Sequence, residues 1–134
     1  MTIAEQQKEY SNQFAQLDWF EKYEFFLDLA GEMPALPDSD RRDENRVHGC
    51  QTNAWIIAEQ KEGNIYYSVD SDALIVKGML GLMADILSGH SPDEIVHADW
   101  FFWKTAGIAE NLDAGRTNGI HAAHRRMCEL AAVD

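Results

Sequence analysis

Only one stretch of this chain reads as β-structure, and it is a single hairpin. Ala54 to Ala58 (Ala-Trp-Ile-Ile-Ala) has the composition of a buried strand. Glu62-Gly63-Asn64 is turn chemistry, and Ile65 to Val69 supplies a second strand. Helix signals surround it on both sides. Thr2 with Glu5, and Asp18 with Glu21, have the spacing of capping boxes. Trp19, Tyr23, Phe26, Leu27 and Ala30 then fall on one helical face, with Gly31 as a stop. After the hairpin, Asp70-Ser71-Asp72 is placed to cap a helix reaching about Leu87, closed by Ser88-Gly89. Ser91-Pro92-Asp93-Glu94 combines an N-cap, a first-turn proline and a capping-box acid. A cluster of Trp100, Phe101, Phe102 and Trp103 follows, with the composition of core or interface. The last helix starts near Thr117, with Ile120, His124, Met127 and Ala131 along one stripe. This order predicts an α+β fold, a small antiparallel β-sheet packed with α-helices, as one domain over residues 1–134.

Two segments qualify that outline. Residues 31–49 hold Pro34, Pro37 and the charged run Asp38 to Arg46, which reads as a solvated connection up to Val47. Gly78 and Gly81 lie inside a helix, each costing about 1 kcal/mol relative to alanine. Such glycines predict that another element packs closely against that helix.

The charge balance narrows the partners. Asp and Glu number 23 against 11 Lys and Arg, a net charge of -12. A basic footprint for nucleic acid is absent, and an anionic membrane surface would repel the chain. The acidity suits solubility and steering toward a basic patch on a protein partner. No signal peptide opens the sequence, and no run approaches the ~18 apolar residues of a membrane span. Two cysteines do not make a disulfide framework, so a reduced, cytoplasmic setting is expected.

Phosphate-binding glycine motifs are missing, which leaves Cys50 as the informative residue. It sits in Asn45-Arg46-Val47-His48-Gly49-Cys50-Gln51-Thr52, at a predicted loop rather than in an apolar run. Gly49 permits a sharp turn that presents the sulfur, and Arg46 or His48 would favour the thiolate. On these residues alone Cys50 fits either a presented nucleophile or a small residue closing a strand end. Cys128 lies mid-helix beside the apolar stripe, where packing is expected. His121, His124 and Cys128 occupy adjacent helical turns, compatible with metal ligation but short of the usual ligand set, so no metal is assigned. A thiol hydrolase would need one of His48, His90, His97, His121 or His124 brought to Cys50 by the fold.

Taken together, the segments resemble the SufE/CsdE family of sulfur-acceptor proteins. The matching residues are Trp19 with Glu21-Lys22-Tyr23, then Pro34, Leu36 and Asp40-Arg41. Asn45, Val47, Gly49-Cys50-Gln51 and Trp55 follow, then Asp70-Ser71-Asp72-Ala73 and Ile75-Val76-Lys77-Gly78. Ser91-Pro92-Asp93-Glu94-Ile95-Val96 and Arg116 with Asn118-Gly119 complete the set, in order along almost the whole chain. Gly115-Arg116-Thr117 departs from the family's Ser-Arg-Ser, and Thr117 keeps one hydroxyl.

The resemblance implies a fold similar to the IscU scaffold, with the cysteine on a loop near an apolar recess. It implies that Cys50 takes sulfane sulfur from the persulfide of a cysteine desulfurase of the SufS or CsdA kind. The sulfur then passes to an iron–sulfur scaffold complex of the SufBCD kind. The chain would activate its partner rather than act as a stand-alone enzyme, and it would hold no cofactor, since pyridoxal phosphate belongs to the desulfurase. A homodimer is a further implication. Gly49 and Gln51 flank the cysteine. Asp72 and Lys77 are implied to shape its loop or cap a helix, and Arg116 to meet the partner or steady the anionic sulfur. Gly78 and Gly81 would make room for the recess or serve plain helix packing. The alternatives are an iron–sulfur scaffold, which needs about three cysteine ligands, and a stand-alone thiol hydrolase.

Overall fold

A computed structural model describes residues 1–132. The hairpin forms as an antiparallel pair, β1 (Ala54–Lys61) and β2 (Asn64–Ser71), in register from Ala54 opposite Ser71 to Lys61 opposite Asn64. Its two-residue loop has positive φ at both positions, 52° at Glu62 and 83° at Gly63, which matches the right-handed twist of the strands. Both strands run further than the apolar runs suggest. Glu59 to Lys61 are polar and exposed, and cross-strand hydrogen bonding rather than burial carries the hairpin tip into solvent.

A lone hairpin is marginal in water, so the helices must bury it. The central element is α3 (Leu74–Leu87), in which every residue except Leu74 and Asp85 is buried. It lies between β2 and α2 (Trp19–Glu32). A Cβ on Gly78 would land on the backbone carbonyl of Phe26, and one on Gly81 on the thioether of Met33. The two glycines therefore serve the close approach of α2 to α3. Helix α2 continues through Gly31 to Glu32 and stops because Pro34 disfavours a helical Met33.

α1 (Ile3–Phe14) and α2 open on the Thr2–Glu5 and Asp18–Glu21 capping boxes. The buried Gln7 joins α1 to the aromatic segment. Its Oε1 accepts from the backbone N–H groups of Phe101 and Phe102 at 2.9 and 3.0 Å, and its Nε2 donates to the Asp99 carbonyl at 2.9 Å. Phe102 and Trp103 enter the core while Trp100 and Phe101 stay half-buried. α4 (Pro92–His97) and the single turn α5 (Phe102–Thr105) lead to α6 (Ala114–Ala132). This last helix begins three residues before Thr117, because the Asp113 carboxylate accepts the Arg116 N–H at 2.8 Å and acts as its cap.

Two expectations are corrected around Asp70. Asp70-Ser71-Asp72 does not cap α3, whose N-cap residue is Ala73 without a side-chain bond. Asp70 instead points inward at the end of β2 with 1% exposure. The charged segment after Pro37 is likewise no loose connection. Asp70 accepts the Leu36 N–H at 2.9 Å and Arg41 Nη2 at 2.7 Å, and Lys77 Nζ lies 3.4 Å away. Lys77 also donates to the Met33 carbonyl at 3.1 Å. Burial pushes the Asp70 carboxyl up. The Arg41 bond, the Leu36 and Ser71 N–H groups and the Lys77 charge outweigh it and hold the pKa below the usual value. One buried carboxylate thus anchors the chain that leads into the Cys50 loop.

Candidate functional site

The segment around Cys50 is a loop pinched at its base. The Val47 N–H donates to the Ala54 carbonyl at 2.8 Å, and the Arg46 backbone forms an antiparallel bridge to Trp55 of β1. Val47 is buried and fixes one end of the loop. At the other end Asp72 receives the Asn53 side-chain amide at 2.9 Å and its own N–H reaches the Asn53 carbonyl at 3.1 Å. Asp72 also pairs with Arg41 at 3.5 Å. Asp72 is thus bonded to the far end of the Cys50 loop, and α3 has no side-chain cap from it. Lys77 acts one step further back, through Asp70 and Met33.

Between these anchors the chain turns at Gly49, whose φ of 95° any L side chain would strain. The loop then lies on one face of α6. A Cβ on Gly49 would meet Ala122 at 3.4 Å, Gly119 faces the Cys50 sulfur, and Gly115 faces the Gln51 side chain. Gly115, Gly119 and Ala122 are four and three residues apart, so they share a helical face. The glycines cost α6 about 1 kcal/mol each in helix propensity. Their return is a loop seated directly on the helix backbone. Sequence reading missed this track; its signal was the small residues at helical spacing, hidden by assigning Ala114 to Arg116 to a loop.

Cys50 is half-buried and its Sγ lies 3.5 Å from the Thr52 hydroxyl, which is placed to donate to a thiolate. The sulfur borders a cavity of about 170 Å³. Buried Val47, Ala54, Val76, Met79, Leu80 and Ile120 form its apolar wall, and the more exposed Gln51, Thr52, Asp113 and Arg116 belong to its rim. One water needs only about 10–15 Å³ of such space. The recess thus has room for additional atoms on the sulfur. Arg116 joins Cys50 at this recess, whereas Gly81 lines a different groove beside Met33.

The size of the recess depends on Gly119. A Cβ there would sit 3.1 Å from the Cys50 sulfur, tighter than ordinary contact. Gly119→Ala is expected to keep stability within about 1 kcal/mol, since the helix gains propensity while the thiol shifts. The displaced and crowded thiol should be alkylated by iodoacetamide about tenfold more slowly. Thermal melts beside a timed mass measurement of alkylation check both halves.

The other titratable groups lie away from this sulfur. Cys128 is half-buried, its thiol 3.9 Å from the Ile95 carbonyl and 3.7 Å from His124 Nε2. Burial, and after it the Glu129 charge, push that thiol above its ordinary range. His124 stacks on Trp100 with ring centroids 5.2 Å apart, and burial followed by the His121 charge lowers its pKa. His90 Nε2 pairs with Gln6 at 2.6 Å and His97 with Asp93, while His48 and His121 are exposed. Among the described residues no histidine is bonded to Cys50, and no three His, Cys, Asp or Glu side chains gather to hold a metal ion. No helix there is long and apolar enough to cross a membrane.

Comparison with known proteins agrees with this geometry. The SufE family model, described as an Fe-S metabolism associated domain, matches residues 8–131. The solution structure of a hypothetical protein from Thermus thermophilus superposes with a TM-score of 0.77 at 25% identity, covering 94% of this chain and 93% of that one. The fold is thus SufE-like, six helices with a two-stranded antiparallel sheet among the described residues. The chain belongs to the SufE family, which ties it to iron–sulfur metabolism.

Proposed function

We propose that this SufE-family chain is a sulfur carrier whose Cys50 accepts sulfane sulfur from a cysteine desulfurase and passes it on for iron–sulfur cluster assembly. The observation that carries the reading is a half-buried thiol at the tip of an anchored loop, set over an apolar recess with room for an added sulfur. Transfer between cysteines is thiolate attack on a sulfur–sulfur bond. The Cys50 thiolate attacks the outer sulfur of the donor's protonated persulfide. A new bond joins Cys50 to that sulfur, the donor's sulfur–sulfur bond breaks, and the donor cysteine leaves as a thiolate. No external oxidant or reductant is consumed.

Each neighbouring residue has a part in that step. Gly49 makes the turn that presents the sulfur, and Gln51 and Thr52 flank it at the rim. Asp72 steadies the loop's far end, Lys77 holds the Asp70 anchor, and Arg116 faces the incoming partner or the anionic sulfur. Pyridoxal phosphate and the chemistry that releases sulfur from cysteine belong to the desulfurase, of the SufS or CsdA kind. A scaffold complex of the SufBCD kind is the recipient. By consuming the donor's persulfide the chain speeds its partner's turnover.

The test is intact-mass analysis and peptide mapping after mixing the protein with a cysteine desulfurase and cysteine. One added sulfur on Cys50, dependent on the desulfurase and absent from Cys128, is expected. A desulfurase that turns over without loading Cys50 would defeat the proposal. Cys128→Ala should leave loading intact while costing about 1 kcal/mol through a small cavity, read from denaturant melts.

A further inference from the structure

We infer that the arginines beside the Cys50 loop form a docking face for an acidic surface on the sulfur-donating protein. This rests on the carrier function proposed above and concerns how the donor is recognised. The chain's cations are segregated by type. All six arginines lie either at 41–46 or in α6, the two segments that frame the loop, while the lysines stand at 8, 22, 61, 77 and 104. Arg41 is committed to Asp70 and Asp72 and lies over Trp55, and Arg42 is paired with Glu44 at 3.0 Å. Arg46, Arg116, Arg125 and Arg126 remain.

Three of these line one groove. Arg46, Arg125 and Arg126 border it with His48, Ala122, Glu44 and Glu129, around about 350 Å³. The Gly49–Ala122 contact joins that groove to the Cys50 site. Its arginines are weakly satisfied from within. Arg46 reaches Asp43 and Arg126 reaches Glu129 only at 4.0 Å, and Glu44 is engaged by Arg42. Arg125 is exposed and has no ion pair among the described residues. Arg46 Nε is buried and has no hydrogen-bond partner among the described residues.

The chemistry of the occupant follows from the donors. Guanidinium groups bind carboxylates through paired N–H bonds, which a lysine ammonium does not reproduce. From Val47 to Ala58 the chain carries no acid, although its net charge is -12. An acidic partner is repelled by the rest of such a surface and attracted at this one face. Carboxylates on the donor protein, docked here, would bring its persulfide to Cys50 in one orientation.

The test compares Arg125→Glu/Arg126→Glu with the native chain and with Lys8→Glu/Lys104→Glu, an equal charge change far from the groove. Each is mixed with a cysteine desulfurase and cysteine at low and high salt, and separately with inorganic polysulfide. The arginine variant should bind the desulfurase and gain sulfur roughly tenfold more weakly at low salt, with the gap closing at high salt. Polysulfide loading and the melting temperature should match the native chain, and the lysine variant should behave natively. Native rates in the arginine variant, equal losses in the lysine variant, or a matching loss with polysulfide would each overturn the docking face while leaving the carrier function standing. A native chain that polysulfide loads and the desulfurase does not would overturn both.

Discussion

Cys50→Ala is expected to abolish sulfur loading completely while moving the melting temperature by less than about 3 °C. The two effects separate because the thiol is half-buried beside a cavity, so deleting its sulfur removes little packing. Stability resides in the loop's anchors, the Val47–Ala54 bond and the Asp72–Asn53 pair, and neither involves the sulfur. Cys128 offers no substitute, since burial pushes the pKa of its thiol up and it sits on α6 against Ile95. Mass spectrometry after incubation with a desulfurase and cysteine measures the loss, and calorimetry measures the melt. Full stimulation of the desulfurase by the alanine variant would make the chain an allosteric activator and end the carrier reading.

Asp70→Asn is expected to be the most damaging single change to the fold, at about 3 kcal/mol, because it leaves buried positive charge without its counter-charge. Asp70 is 1% exposed, and the Lys77 side chain beside it is 9% exposed. The amide keeps the shape and its oxygen still accepts the Leu36 N–H, but its NH2 then faces the Ser71 N–H, so the loss reports charge and one lost acceptor rather than volume. It should release the 34–45 segment and loosen the approach to Val47. The pH dependence has a definite sign. The Asp70 pKa is depressed in the folded chain, so its contribution is complete above the ordinary carboxylate range. It fades as the pH falls through that range and is gone below the depressed folded value. The stability gap between native and Asp70→Asn proteins should therefore be widest near neutrality and narrow in acid. Urea melts from neutral pH to about pH 3 follow it. A gap that does not change with pH would show that Asp70 acts by packing alone.

Local chemistry made much of this protein legible beforehand. Capping boxes at Thr2, Asp18 and Ser91 set helix starts, because their hydrogen bonds close within four residues. The hairpin was legible from its apolar runs and turn. Gly78 and Gly81 announced a close approach, and Gly49-Cys50-Gln51 marked the loop with chemical interest. Order and spacing of the motifs sufficed for the family, which the domain match over residues 8–131 shows.

Where the reading fell short, the interaction was long-range. Asp70-Ser71-Asp72 looks like a helix cap, and no local rule reveals that Asp70 turns inward to hold Leu36 and Arg41 from 34 and 29 residues away. The 38–46 run looks solvated because its acids and bases alternate and can pair within the run, while the carboxylate that anchors Arg41 lies 29 residues away at Asp70. Gly115 looks like a loop glycine, and Gly119 like an unremarked helix position, until the Cys50 loop is laid against them. The sequence by itself singled out Cys50 as the candidate site residue and determined which helices start where and that one hairpin stands among them, since backbone hydrogen bonding and side-chain chemistry are local. Only the tertiary structure decided what surrounds that sulfur: the recess between β1, α3 and α6, the glycine track beneath the loop and the arginines at its side. Those depend on close packing between segments about seventy residues apart, where geometry is set by contact and not by order along the chain.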